Sequence, residues 1–341
     1  MPQDDLPTRT DPPTVRELAR KAGVSIATVS RALNNTSGIS PETREHVLNT
    51  ALEMGYDLSR LRQQPIRRIG FFLERDHHNA SSLVANPFYY PVFMGVEEAC
   101  RKAKLAMSYC SFALDESIQD IIDLHALDAI VCAGYCPEHV LEAFRKSGKP
   151  TVLIDHQAEG LFSVMIDNQT WAYRATQHLL ALGRRNLAFI KGPDHPSILE
   201  RLQGFKDALA DSGVALREGF VVTRRPPEAE QGAYTAMQHL LTLKDRPDGV
   251  FAYNDASALY AIEACLDAGL RIPEDIAVVG FDDIQAAADH NPSLSTVHID
   301  PAQMGREGVQ LLLSGAGGPV VRVGGRLVIR QSTRIRPMDR R

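Results

Sequence analysis

The chain has 341 residues, 44% of them apolar, and a formal net charge of −5, enough for a small domain beside one or two larger ones. It has no run near the about 20 apolar residues of a membrane span, and its opening MPQDDLPTRTDPP has no signal-peptide core. Its five cysteines (Cys100, Cys110, Cys132, Cys136, Cys265) are odd in number and scattered. These features exclude a membrane protein and a disulfide scaffold, and lead us to expect a cytoplasmic protein with buried thiols. Cys132 and Cys136 lack a second ligand pair, so neither a metal nor a cofactor is expected. The acidic balance is uneven. The first 68 residues carry ten Lys/Arg against eight Asp/Glu, and Leu58 to Arg68 holds four arginines and no acid.

In chain order, residues 1–12 read as a disordered tail. Thr14-Val15-Arg16-Glu17 is a capping box, followed by an apolar stripe of Val15, Leu18, Ala19 and Ala22 at helical spacing. Gly23 suits a sharp left-handed stop. Ser25 can cap a second helix whose inner face is Val29, Ala32 and Leu33. Ser40-Pro41-Glu42-Thr43 opens a third helix, with Val47, Leu48, Ala51 and Leu52 expected to face inward and Gly55 to end it. Two short helices around so tight a turn predict a helix-turn-helix, at residues 13–57. This unit's main use is to place its second helix in the DNA major groove. Ser25, Thr28, Ser30, Arg31 and Asn34 lie on that helix's outer face and can bond phosphates or base edges. Exposed Ile26 and Ala27 suit thymine methyl groups. The alternative is a three-helix protein-binding module.

Residues 58–67 read as a short hinge. Beyond them, apolar runs at 69–73, 106–111, 129–133, 151–154, 163–166, 186–190, 249–252 and 277–281 alternate with helical stretches such as 91–103, 171–182, 198–212 and 256–268. Such alternation predicts parallel sheets covered by helices. About 270 residues is large for one sheet, so two doubly wound α/β lobes are expected, with ligands at the carboxyl ends of their strands.

The segment Leu18-Ala19…Ala22-Gly23-Val24-Ser25…Thr28-Val29-Ser30-Arg31-Ala32-Leu33-Asn34 resembles the head of the lac repressor/galactose repressor family. The resemblance implies base reading by Ile26, Ala27 and Arg31 and phosphate contacts by Ser25, Thr28 and Asn34, to which Ser30 is added from its place on the outer face. It continues through Asn86-Pro87-Phe88-Tyr89, Leu153-Ile154-Asp155, Ile166-Asp167-Asn168, Glu200-Arg201-Leu202-Gln203-Gly204-Phe205, Ala252-Tyr253-Asn254-Asp255 and Val279-Gly280-Phe281-Asp282-Asp283. This implies a core like the periplasmic sugar-binding proteins at 68–338. Lobe one would be about 68–167 and 298–325, and lobe two about 168–297 and 326–336, with a final strand near 326–336. By motif position Arg201, Asn254 and Asp282 would contact an effector, helped by Asp155 and Ser197, and Phe88 or Tyr89 can stack on a sugar or base face. The competing readings are a surface ion pair for Arg201 and turn or cap roles for Asp155 and Asp282. Asp283 reads as a structural cap.

The chain also departs from the family pattern. Around the hinge, Tyr56-Asp57-Leu58-Ser59-Arg60-Leu61-Arg62-Gln63-Gln64-Pro65 replaces the usual hinge-helix text, and Pro65 forbids helix beyond it. Leu58 or Leu61 can act as a minor-groove wedge, or Arg60 and Arg62 can grip phosphates. Asp76 to Leu83, with His77-His78, is an insertion. Arg224-Arg225 stands where relatives often carry an aromatic, which allows an anionic effector such as a phosphorylated sugar. With no heptad helix after Ser332-Thr333-Arg334, a homodimer on an inverted-repeat operator is expected. The leading reading is a transcriptional repressor controlled by a small molecule, a sugar or sugar derivative, with no catalytic residues. The rivals are control by a partner protein, a solute-binding protein, and an enzyme on a doubly wound scaffold. No Gly-x-Gly-x-x-Gly, Walker loop or Gly-x-Ser-x-Gly elbow supports the enzyme.

Overall fold

The computed structural model describes residues 13–33, 39–56, 66–75, 83, 86–224, 231–314 and 320–334. The chain divides into two units between Ile66 and Arg67. The first holds α1 (Val15–Lys21), α2 (Ile26–Leu33) and α3 (Pro41–Glu53). The Thr14 hydroxyl accepts the Glu17 amide at 3.3 Å, and the Glu17 carboxylate accepts the Thr14 amide at 2.8 Å, which completes the capping box. Gly23 and Gly55 both take φ +67°, so the Val24 amide reaches back to the Ala19 carbonyl and the Tyr56 amide to that of Ala51. Leu18, Val29, Val47 and Ala51 are fully buried at the centre of the head.

One expected core residue is corrected. Leu52 is 63% exposed, and Thr50 is buried in its stead, its hydroxyl donating to the His46 carbonyl at 2.8 Å. Val47, Thr50 and Ala51 are the buried positions of α3, with Leu48 and the C-cap Met54 partly buried against the same core, and Thr50 can join them because its hydroxyl bonds within the helix.

In the second unit, β1 (Arg68–Glu74), β2 (Ala106–Phe112), β3 (Ala129–Ala133), β4 (Thr151–Ile154), β5 (Phe162–Ile166) and β11 (Val320–Val323) form a parallel sheet in the order β11-β5-β4-β3-β1-β2. A second sheet joins β6 (Leu187–Lys191), β7 (Val221–Thr223), β8 (Gly249–Ala252), β9 (Ala277–Asp282), β10 (Ser295–Ile299) and β12 (Gly325–Val328) in the order β12-β10-β9-β8-β6-β7. All its pairs are parallel except β10 with β12. Every residue of β3, β4 and β8 is buried, as central strands between helical layers must be. The chain passes between the sheets after β5, after β10 and between β11 and β12.

The eight apolar runs are all strands, to within about two residues. β7, β10, β11 and β12 add to them. The expected final strand near 326–336 ends at Val328. Beyond it Ser332 holds β9 and β10 with both its side chain and its backbone: its hydroxyl accepts the Ser295 amide (2.8 Å) and donates to the Val278 carbonyl (2.6 Å), its carbonyl accepts the Val278 amide (3.1 Å) and its amide donates to the Ser293 carbonyl (2.9 Å).

The helices are α4 (Tyr89–Lys102), α5 (Ile118–Leu124), α6 (Glu138–Ser147), α7 (Asn168–Ala181), α8 (Pro196–Asp211), α9 (Gly232–Thr242), α10 (Asp255–Asp267), α11 (Gln285–Asp289) and α12 (Pro301–Ser314). Capping side chains start several of them earlier than the apolar pattern does. Asp167 caps α7, His195 caps α8 ahead of Pro196, and Asn254 caps α10. At Gly204 of α8, a methyl group would fall 2.1 Å from the Gln169 carbonyl oxygen of α7. The clashing atom is backbone, so the two helices would have to part. We expect Gly204→Ala to lower stability by about 3 kcal/mol or more. This reads as a reduced denaturant midpoint at constant slope. An unchanged midpoint would refute the close approach.

Candidate functional site

The outer face of α2 is the head's polar surface. Ser25, Ile26, Ala27, Ser30 and Arg31 are exposed and Thr28 is half-buried, opposite the buried Val29, Ala32 and Leu33. Ser25 has a local task as well. Its hydroxyl accepts the Thr28 amide at 3.0 Å and lies 2.8 Å from the Thr28 hydroxyl. A capping hydroxyl of this kind retains lone-pair capacity, and the first turn of α2 carries no acidic side chain to oppose an anion. Ile26, 51% exposed, is the apolar outlier of this face. Asn34, Leu58, Arg60, Leu61 and Arg62 lie outside the described residues.

The second polar cluster sits where the carboxyl ends of both sheets meet. From the first sheet come Phe88 and Tyr89 at the start of α4, Tyr135 after β3, and Asp155 and His156 after β4. From the second come His195, Ser197 and Arg201 around the start of α8, Asn254 after β8, and Asp282 at the end of β9. The Asp155 Oδ2 accepts the Tyr89 hydroxyl (3.3 Å) and the Ser197 hydroxyl (3.4 Å), which joins the two lobes. Asp155 and Asp282 turn the chain at φ +62° and +114°, strained values for non-glycine residues, and neither is a helix cap.

Arg201 is 5% exposed, so the surface-ion-pair reading is excluded. Its Nε donates to Asn168 Oδ1 (2.8 Å) and its Nη1 to the Tyr253 carbonyl (2.6 Å), with Asp282 Oδ1 at 3.5 Å. The guanidinium lies 3.7 Å above the Phe281 ring. Burial pushes the Asp282 carboxyl up to about 7 against the opposing pull of Arg201. Burial and the neighbouring Asp155 raise the Tyr89 phenol well above its ordinary range. The Asn254 side-chain oxygen accepts the Ser257 amide (2.9 Å), so its acceptor serves the α10 cap. Phe88 meets Tyr89 edge to face at 5.2 Å.

Asp283, read as a cap, is instead pinned by Arg330 (2.7 Å) and His298 (2.9 Å). The Arg224 guanidinium lies 5.8 Å over Tyr253, while Arg225 and the His77-His78 insertion lie outside the described residues. Asn168 joins the cluster through Arg201, and Tyr135, His156 and His195 join it with no motif to mark them. Ile166-Asp167-Asn168 was the one signal that pointed toward any of them. The five thiols are buried, and burial raises those of Cys100 and Cys110 to about 11 and that of Cys265 to about 12, where they are chemically inert. Among the described residues no helix is long and apolar enough to cross a membrane, and no group of three His, Cys, Asp or Glu is placed to hold a metal.

Residues 14–58 match the family described as bacterial regulatory proteins, lacI family, and residues 176–333 a periplasmic binding protein-like domain. The chain is 31% identical over 309 residues to the HTH-type transcriptional regulator DegA of Bacillus subtilis, covering 86% of this chain and 88% of that protein. It is 28% identical over 313 residues to the HTH-type transcriptional repressor PurR of Photobacterium profundum, covering 88% and 91%. The solved structure of a transcriptional regulator CelR–cellobiose complex superposes with a TM-score of 0.70 at 28% identity, over 94% of this chain and 99% of that one. The lac repressor dimer bound to operator and the anti-inducer ONPF gives 0.67 at 21% identity, over 95% and 99%, a likeness of fold. The chain belongs to the lacI family of bacterial regulatory proteins, as a DNA-binding transcriptional repressor with a helix-turn-helix head and a two-lobed, periplasmic-binding-protein-like core.

Proposed function

We propose that this repressor binds an inverted-repeat operator as a homodimer and that a small hydroxyl-rich molecule, a sugar or sugar derivative, sets its operator affinity. The observation that carries this reading is the polar cluster at the carboxyl ends of both sheets, where Asp155 of one lobe meets Ser197 of the other. A ligand engaging Arg201, Asp282, Asn254, Asp155 and Ser197, with Phe88 or Tyr89 against its apolar face, would change how strongly the lobes hold together. Such a ligand need only favour one lobe arrangement over another by a few kcal/mol to shift the dimer between operator-binding states. On the head, Ile26, Ala27 and Arg31 are assigned to base edges and Ser25, Thr28 and Ser30 to phosphates. Exposed Met94 on α4 and Tyr109 on the edge strand β2 supply apolar surface for a second copy.

The test is to sequence genomic DNA fragments retained by the purified protein at physiological salt. A sharp inverted repeat near a few genes is expected. Uniform retention that vanishes with added salt would reduce the binding to electrostatics and overturn the operator reading.

A further inference from the structure

A second cavity lies outside the polar cluster, at the edge of the first sheet. Ile122 of α5 and Phe144 of α6 pack over one face of this sheet, against Phe72, Cys132 and Leu153. Ser163 stands in register with Leu153 on one side and Val320 on the other, so β5 and β11 extend the same face. The opposite face carries α12, whose Gly308 lies against Val152 and Ile154. On the α5–α6 side, β5 and β11 are bordered instead by Gln157 to Leu161 and by Pro196 and Glu200 of α8. Between them is a cavity of about 530 Å³. Its apolar lining includes Leu161, Met165 and Val320, and Val320 is left 36% exposed. Ser163 shares the face of Met165 and is fully buried, yet its hydroxyl finds no partner among the described residues. Buried polar atoms are paired in nearly all folded proteins, so an unanswered hydroxyl beside an apolar hollow marks this corner as incomplete without an occupant.

This cavity is not the cleft. On α8, the buried Ser197 and Arg201 belong to the polar cluster, whereas Pro196 and Glu200 each stand one residue earlier, about 100° around the helix. Its charge also differs. The lining carries two carboxylates, Glu159 and Glu200, and no cation. Arg145 is committed to Glu138 (2.6 Å) and to the Glu159 carbonyl (3.3 Å), and Arg322 stands at the sheet edge in register with Met165. An anion would meet two carboxylates, and a sugar would press its hydroxyls on apolar side chains. An ammonium on an apolar body satisfies both parts of the lining. The site is also wired to the cleft. Glu200 Oε2 accepts the Asn168 side-chain amide (3.2 Å), and Asn168 Oδ1 accepts Arg201 Nε (2.8 Å). A cation drawn to Glu200 competes with the residue that holds Arg201.

We propose that this cavity is a second ligand site, separate from the cleft, that takes a small organic amine. Its ammonium pairs with Glu200 and Glu159, and its apolar body covers Leu161, Met165 and Val320. Occupancy shifts operator affinity through Asn168 and Arg201. The amine is free or belongs to an amino acid, whose carboxylate would face Arg322.

Two matched series test this by titration calorimetry and thermal shift on the full-length protein, with operator anisotropy in parallel. One is phenethylamine, phenylalanine, phenethyl alcohol and phenylacetate. The other is cadaverine, lysine, pentanediol and glutarate. At least one ammonium compound is expected to bind, with its alcohol and acid counterparts 10-fold weaker or more. Glu200→Gln should weaken that binding at least 10-fold and the more exposed Glu159→Gln about 3-fold. The bound amine should change operator affinity in wild type and not in Glu200→Gln. Melting temperatures of the ligand-free variants are the folding control, and exposed Glu159 keeps the test informative if Glu200→Gln does not fold. Tightest binding by a free amine or by an amino acid supports the site either way and identifies the source. Silence of every ammonium compound, equal binding by an alcohol or acid, or indifference to both variants overturns the site. Binding without any change in operator affinity overturns the route through Asn168 and Arg201.

Discussion

Arg201→Ala is expected to abolish the response of operator binding to ligand and to destabilise the core in a pH-dependent way. The side chain donates to Asn168 and to the Tyr253 carbonyl, stacks on Phe281 and neutralises Asp282. Removing one partner of a buried ion pair costs about 3–5 kcal/mol when the other charge cannot escape. Asp282 has an escape, because its carboxyl already titrates near 7 and can stay protonated. Its native pKa lies above the ordinary carboxylate value, so its contribution to stability is fully present below about 4 and is lost as pH rises through about 7. Without Arg201 the native pKa rises further, and the added loss falls in the pH range above 7. The gap in melting temperature between wild type and Arg201→Ala should therefore be wider at pH 8.5 than at pH 5.5. Equal gaps would mean that the two residues are not coupled. A lysine in place of Arg201 keeps the charge but not the planar fork that serves Asn168 and Tyr253 together, so it should restore stability more fully than ligand response.

The fold was legible wherever local chemistry decides it. Thr14 with Glu17, Gly23, Ser40 with Pro41, and Gly55 determine the head's helix ends through caps and left-handed turns that involve neighbours in sequence alone. The buried central strands were legible as apolar runs for the same reason. Among the edge strands β2 was legible as an apolar run and β12 entered only through the resemblance, as part of a longer final strand, whereas β7 and β11 were not legible. β7 has three residues and β12 four, mostly half-exposed, with no run long enough to stand out. Leu52 lies off the helical phase of Val47 and Ala51 and faces water despite its hydrophobicity, whereas Thr50, which bonds within its own helix, is readily buried.

The site divides along the same line. Arg201 and Asp282 were visible as motif residues, but burial on all sides, which turns a surface pair into a coupled one, is a property of packing. Tyr135, His156 and His195 carry no distinguishing pattern in sequence. Only the parallel topology, which brings the ends of β3, β4 and β6 together across two lobes, makes them one group.

The other large effect belongs to the head. Ile26→Ser and Arg31→Ala should each reduce affinity for the specific operator, and salt dependence should distinguish what they do. Ile26 and Arg31 are exposed on one face of α2, whose opposite face is locked into the head core by Val29, Ala32 and Leu33. Either substitution can therefore be made without disturbing that core. A base contact is worth about 1–3 kcal/mol of discrimination. The homodimer proposed above would make it twice, so the expected loss approaches about 2–6 kcal/mol, roughly 30-fold or more. Ile26 carries no charge, so Ile26→Ser should leave the slope of log affinity against log salt unchanged while narrowing the gap between operator and random DNA. Arg31 separates two mechanisms. As a base reader it should behave like Ile26, with specificity relaxed at one position of each half-site. If it only neutralised a phosphate, affinity would drop equally on all sequences, and the salt slope would shrink by about 0.9 per subunit. Binding isotherms on operator and scrambled DNA at three salt concentrations decide between them. The base-reading assignment holds if discrimination falls with the slope intact. It fails if the slope falls and discrimination survives.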